Sequence, residues 1–338
     1  MESRTLLITG VSGYIGGSVL SAILRTKETW AANLKISALV RSESQATKVR
    51  ELGVSPELFS SFDELDRLEE VGKGFDIIIH AGAGWHTPSA QALIRGQGVR
   101  RETTNADVHY IQISGTSNLS DRPYTEGYID THVFSDDEDI YSYEKYRESR
   151  ETYFQRTTDI AVIEESEASG VTTYILPTMI ADALRTGSCS VVSEGDTVWN
   201  HVHIEDLAAL HLVLLQHIFR GIKIPSGRKG IYFCETGEHS HLEFSEYLAK
   251  AGHKLGVFPS SEVAKITIQE AGEKWVFGNT SSAELGFASN SRTKAVLARN
   301  LGWAPSDAEE WESTFSTELN EFIKNPPSGR EIPKYLKK

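Results

Sequence analysis

The segment Thr9-Gly10-Val11-Ser12-Gly13-Tyr14-Ile15-Gly16 spaces three glycines three residues apart, directly after the apolar run Thr5-Leu6-Leu7-Ile8. A helical pattern follows, with Ile15, Val19, Leu20, Ile23 and Leu24 on one face at 3.6-residue spacing. Strand, glycine turn and helix together let a backbone approach a pyrophosphate. Gly10 permits the tight turn and Gly13 brings backbone N–H groups to the phosphate. Gly16 lets the helix lie against the sheet, with its N-terminus facing the negative charge. No Gly-Lys-Ser/Thr follows, so the turn is not a P-loop.

The same alternation continues along the first half. Strands are predicted at Thr5–Thr9, Lys35–Val40, Leu58-Phe59, Phe75–His80, Val108–Ser114 and Val171–Leu176. Helices are predicted at Ser12–Arg25, Ser42–Leu52, Asp63–Val71 and Ser89–Arg101, with one long helix from Ile140 to about Ala168. Apolar residues on consecutive positions, as in Phe75-Asp76-Ile77-Ile78-Ile79-His80, belong to strands buried on both faces. The fold class expected is α/β: a doubly wound (Rossmann) parallel sheet with a smaller, mostly helical C-terminal substrate-binding cap. Residues 1–177 form the dinucleotide-binding domain, to which 201–235 return. Residues 178–200 and 236–325 form the cap, and 326–338 a loose tail. Within these, Val202–Gln216 reads as a short strand running into a helix, and Gly230–Cys234 as a further strand.

Composition narrows the class. Of 338 residues, 47 are acidic and 34 basic, a net charge of −13, so there is no basic excess with which to neutralise nucleic-acid phosphates. Two cysteines, Cys189 and Cys234, make neither a disulfide framework nor a zinc site alone. No run is apolar for long enough to cross a bilayer. A cytoplasmic protein acting on a small-molecule substrate is expected, with no nucleic-acid or membrane partner.

Three groups of residues carry chemistry. At the end of the second strand stands Val40-Arg41-Ser42, where an NAD site would place an acidic residue for the ribose hydroxyl. Arg41 suits a 2′-phosphate instead, which favours NADP(H) over NAD(H). Tyr141 and Lys145, four apart, share a helix face; a lysine cation beside a phenol favours proton exchange with a carbonyl or alcohol. Ser114-Gly115-Thr116 lies at the carboxyl end of the fifth strand, where ligands bind in such sheets. His201-x-His203 and His239-x-His241 lack the companions of a metal site, so no metal is expected. Asp136-Asp137-Glu138-Asp139 supplies acidic charge to the start of the helix carrying Tyr141.

TGVSGYIG, VRS, FDIIIHAGAG, ISGTS, YSYEK and HVHIEDLA together resemble the short-chain dehydrogenase/reductase superfamily. The likeness is to its extended and atypical branch, the NAD(P)-dependent epimerase/dehydratase-like proteins, and to fungal members tied to small-molecule (secondary) metabolism. The resemblance implies that Gly10, Ser12, Gly13, Tyr14, Ile15 and Gly16 bind the dinucleotide, and that Arg41 meets its 2′-phosphate. It places Ala81, Gly82, Ala83, Ser114 and Pro177 along the cofactor. It makes Tyr141 the general acid/base, Lys145 its partner on the nicotinamide ribose, and Thr116 the substrate-orienting hydroxyl, with Ser114 the alternative. A homodimer is common in that family. The function implied is an NADPH-dependent reductase or dehydrogenase. An epimerase/dehydratase and a non-catalytic dinucleotide-binding regulator are the alternatives. The segment from Leu176-Pro177-Thr178 to Val202 lacks the family's Tyr-Gly and reads as shortened.

Overall fold

The computed structural model describes residues 3–177, 189–306 and 311–324. Its centre is a six-stranded parallel sheet of order β3-β2-β1-β4-β5-β7. The strands are β1 (Arg4–Thr9), β2 (Leu34–Val40), β3 (Ser55–Leu58), β4 (Ile77–His80), β5 (His109–Ser114) and β7 (Thr172–Pro177). Leu6, Leu7 and Ile8 of β1 and Ile77, Ile78 and Ile79 of β4 have no exposed surface, as strands covered on both faces require. The crossover helices are α1 (Tyr14–Arg25), α2 (Glu43–Glu51), α3 (Leu65–Gly72), α4 (Thr87–Thr104) and α6 (Phe154–Ser169). Ser42 caps α2 by accepting from Gln45 N.

The long helix expected from Ile140 to about Ala168 is two helices. α5 (Ile140–Arg150) ends at Glu151, whose backbone is extended, and α6 starts after Tyr153, also extended. The break has no glycine or proline. It is held by Glu148, whose carboxylate accepts from Tyr153 N and Thr157 Oγ1, and by the buried Arg156.

The second half is smaller and partly returns to the sheet domain. A short β6 (Val133–Ser135) precedes α5, and β8 (Cys189–Val192) and β9 (Val198–His201) follow β7. No strand begins at Val202, contrary to expectation: β9 ends at His201, and α7 (Ile204–Phe219) follows after two residues and lies against α1. Gly230–Cys234 contributes a single parallel bridge, Ile231 to Ile175, rather than a full strand. β10 (Gly237–Ser240) pairs antiparallel with β9. Then come α8 (His241–Lys254), β11 (Val263–Ile266) beside β8, α9 (Ile268–Val276), α10 (Thr280–Phe287), β12 (Arg292–Lys294) beside β6, α11 (Leu297–Asn300) and α12 (Trp311–Lys324). Leu248, Phe258, Phe315 and Leu319 form one minor core here, and Ile266, Ile268, Ala271 and Ala283 another. Residues 178–188 of the segment read as shortened, and the tail 326–338, lie outside the described residues. Among the described residues no helix is long and apolar enough to cross a membrane.

Candidate active site

The glycine turn closes against the end of β4. Gly10 has φ +72°, and a Cβ there would lie 2.8 Å from the carbonyl of Ala81 and from Gly82 N. A Cβ on Gly16 would lie 2.4 Å from the Gly10 carbonyl oxygen, so only glycine lets α1 sit this close. Gly82 N donates to Thr9 Oγ1 at 3.0 Å, and Thr9 Oγ1 lies 3.0 Å from His80 Nδ1, tying the two strand ends together. α1 starts at Gly13 without a side-chain cap and without an acidic residue in its first turn, where Tyr14 and Ile15 stand. That open N-terminus beside an exposed Ser12 suits an anion. The cradle fits a dinucleotide pyrophosphate. Arg41 is exposed at the end of β2, its backbone N–H held by Gln45 Oε1.

Beyond Ser114, which pairs with Pro177 in the sheet, the chain makes a 3-10 turn at Thr116–Leu119. Thr116 is buried and its Oγ1 has no hydrogen-bond partner among the described residues. Next to it, Ser117 Oγ accepts from the Tyr153 hydroxyl at 3.0 Å and donates to Gln155 Oε1 at 3.1 Å. Tyr153 is buried at the start of α6, and burial raises its pKa, so its phenol is neutral. Ser114 turns the other way: its Oγ donates to Asp159 Oδ2 at 2.5 Å, in the interior. Of the two hydroxyls left open by the sequence, Thr116 is the one not already spent.

Tyr141 and Lys145 are not at this rim. The Tyr141 hydroxyl donates to Glu164 Oε1 at 3.0 Å, and Lys145 Nζ to the same oxygen at 2.7 Å. Arg228, paired with Glu167, covers the Tyr141 ring at 5.0 Å. Glu164 lies deep in α6, about 16 Å below Tyr153 at the rise of an α-helix, towards the amino ends of the strands. The pair therefore clips α5 to α6. The tyrosine that the fold brings to the rim is Tyr153, which the sequence reading missed.

No protein-family profile matches the chain. "Oxidase ucsJ" of Acremonium sp. is 24% identical over 334 residues, covering 90% of this chain and 93% of that protein. The 4-hydroxy-2-methyl-3-oxo-4-farnesyl-3,4-dihydroquinoline-1-oxide ketoreductase of Stigmatella aurantiaca is 33% identical over 112 residues, 33% of this chain and 27% of that one. Among solved structures, triphenylmethane reductase of Citrobacter sp., complexed with NADP(H), superposes with TM-score 0.58 at 11% identity, over 93% of this chain and 99% of that one. UDP-glucuronic acid 4-epimerase of Bacillus cereus, in complex with NAD, gives 0.61 at 12% identity over 95% and 99%. Vestitone reductase of alfalfa gives 0.58 at 16% identity over 96% and 100%. The fold is the Rossmann fold of these reductases and epimerases.

Tyr153 departs from the Tyr-Lys pairing expected from the sequence. Four residues after Tyr153 stands Thr157, its hydroxyl donating to Glu148 Oε1. The remaining sequence candidates have structural explanations. Asp139 caps α5, accepting from Ser142 N. Asp136, by contrast, is buried and accepts from Phe233 N, Val296 N and Leu297 N, so it fastens the C-terminal half instead of serving the helix dipole. His201 Nδ1 and His239 Nδ1 lie 3.1 Å apart across β9 and β10. Among the described residues no group of three or more His, Cys, Asp or Glu side chains could hold a metal.

Below the rim lies a buried acid pair. Asn118 Nδ2 donates to Asp159 Oδ2 at 2.6 Å and to Glu144 Oε1 at 3.2 Å, and all three side chains are buried. Burial raises the pKa of Glu144; burial and then the Glu144 charge raise that of Asp159. A carboxyl raised on folding contributes stability that is full below its unfolded pKa and is lost as pH rises through its folded one. Buried histidines act oppositely. His80 and His211, lowered to about 3 and about 4, cost stability only as pH falls below 6.5. Between about pH 7 and about pH 8 the acid pair is therefore isolated, and stability falls there by up to about 1.4 kcal/mol per pH unit for each carboxyl still protonated in the folded protein. Denaturant titrations across that range should give a smaller slope for Glu144→Gln; equal slopes would refute this account.

Proposed function

We propose that the chain is an NADPH-dependent oxidoreductase that reduces the carbonyl of a small organic molecule to an alcohol. The observation that carries this reading is the neutral Tyr153 hydroxyl bonded to Ser117 at the end of β5, with the unpartnered Thr116 preceding Ser117 in the same turn. These sit on the same carboxyl edge of the sheet as the glycine turn. Gly10, Ser12, Gly13, Tyr14, Ile15 and Gly16 would hold the pyrophosphate. Arg41 would hold the 2′-phosphate, and Ala81, Gly82, Ala83 and Pro177 would line the path towards the nicotinamide. When bound, that group supplies hydride. Thr116 and Ser117 orient the substrate oxygen, and Tyr153 gives it a proton.

The missing lysine sets the direction. A phenol whose pKa is raised by burial stays protonated at neutral pH, so the resting site holds the proton-bearing form and no phenolate base. Reduction needs the donor. Epimerisation through an oxidised intermediate needs a base first, so the raised pKa counts against it. Thr157 in place of lysine is the one feature that favours a non-catalytic dinucleotide-binding regulator.

Fluorescence titration with NADPH and NADH tests the cofactor assignment. Arg41→Ala should weaken NADPH binding by roughly 10- to 100-fold, the worth of a charge-assisted phosphate contact, and leave NADH binding unchanged. Equal effects on both would remove the NADP assignment. NADPH binding without NADPH oxidation across a panel of carbonyls would favour the regulator.

A further inference from the structure

We propose that the substrate is a neutral, flat aromatic carbonyl compound of two or three fused rings. This rests on the reductase reading above and names what that site receives. A cavity of about 440 Å³ opens between the carboxyl rim and the C-terminal helices. Trp85 and Thr87 line it from the β4–α4 connection, Tyr153 and Phe154 from the start of α6, and Asn279 and Ser282 from the start of α10. Its volume is that of a small-molecule site.

Two properties of the wall choose the ligand. First, among the described residues the lining holds no Lys, Arg, His, Asp or Glu. A nucleoside-diphosphate sugar brings at least two negative charges, and the wall offers them no cation, only the partial positive charge at the starts of α6 and α10, about half a unit each. Hydroxyl and amide groups can orient a neutral polar substituent but cannot offset those charges. Second, three aromatic rings face the space from two separate elements. Trp85 keeps 38% of its surface exposed at the mouth, an apolar area that a ligand would cover. Tyr153 and Phe154 lie against each other, ring centroids 4.7 Å apart. Tyr153 both lines the cavity and bonds Ser117, so its ring joins the cavity to the turn that carries the hydroxyls.

The test uses the full-length protein saturated with NADP⁺, titrated by calorimetry with α-tetralone, its carboxylated analogue, the saturated α-decalone and UDP-glucose. NADPH oxidation is followed in parallel. Stacking beyond simple area burial predicts that α-tetralone binds roughly three- to ten-fold tighter than α-decalone. The carboxylated analogue should bind at least roughly ten-fold more weakly, since no cationic side chain lines the wall to replace the hydration its charge loses. UDP-glucose should not displace α-tetralone. Trp85→Ala should erase the aromatic preference, and Trp85→Phe should keep most of it. Equal affinity for the two ketones, displacement by UDP-glucose, or no binding of any ketone overturns the proposal. Aromatic-selective binding without NADPH oxidation supports it and removes the reductase reading. Oxidation of NADPH with no aromatic preference does the reverse.

Discussion

Tyr153→Phe lowers kcat by roughly 10²- to 10⁴-fold, the usual worth of a positioned proton donor, while NADPH affinity is unchanged. The substitution removes one hydroxyl and leaves the ring in place beside Phe154 and under Arg156. Its cost in stability is that of one buried hydrogen bond, about 1 kcal/mol. The matched control is Tyr141→Phe, which deletes a hydroxyl bound only to Glu164 and leaves turnover intact. Carbonyl-dependent NADPH oxidation by the two variants decides between the positions. An active Tyr153→Phe with an inactive Tyr141→Phe would return the site to the Tyr141–Lys145 pair. Because the Tyr153 phenol is held neutral by burial, kcat for reduction should also stay flat across neutral pH.

The sheet was readable because it depends on local signals. β1, β2, β4, β5 and β7 are runs of apolar residues bounded by turns, and the glycine turn sits where two backbones must nearly touch. The tyrosine of the site was not found because the search asked for a lysine four residues on, which only Tyr141 offers. Chain length held the missing signal. A six-residue strand such as β5 spans about 20 Å, and the 16 residues of α6 span about 24 Å. A single helix from Ile140 to Ala168 would run about 43 Å, twice the depth of the sheet it has to cross. It must break, and the crossover proper begins with the β-prone Thr152-Tyr153-Phe154. The hydroxyl partner could not be read in the same way. Ser117 meets Tyr153 across 36 positions, and the inward turn of Ser114 depends on Asp159, 45 positions away. No periodicity encodes such contacts. The same holds for Asp136, whose acidic neighbours look like a solvated run although its own carboxylate is buried on backbone N–H groups of three distant residues.

Arg156→Ala should unfold the protein more readily by about 3–5 kcal/mol, the cost of breaking a buried ion pair from one side. Arg156 is the largest fully buried side chain among the described residues. Its Nε donates to Glu148 Oε2 at 3.1 Å, one terminal nitrogen to the Asn118 carbonyl at 2.8 Å and the other to the Glu151 carbonyl at 2.7 Å. Alanine would take this donor from the Asn118 and Glu151 carbonyls and the cation from Glu148, and leave a void against the Tyr153 ring, which the guanidinium faces at 5.8 Å. At roughly 2–4 °C per kcal/mol for a chain of this size, Tm should drop by about 6–20 °C in a calorimetric scan. A Tm within about 2 °C of the parent would refute the assignment. Arg156→Met separates packing from charge: it refills part of the space, so it should cost less than alanine if the void matters. Glu151 ends α5, Glu148 holds Tyr153 N, and Asn118 closes the turn that presents Thr116 and Ser117. One guanidinium thus joins the helix break to the hydroxyl turn. Both Arg156 variants should lose kcat at temperatures where they are still folded, because the Tyr153–Ser117 distance is set by the contacts they remove.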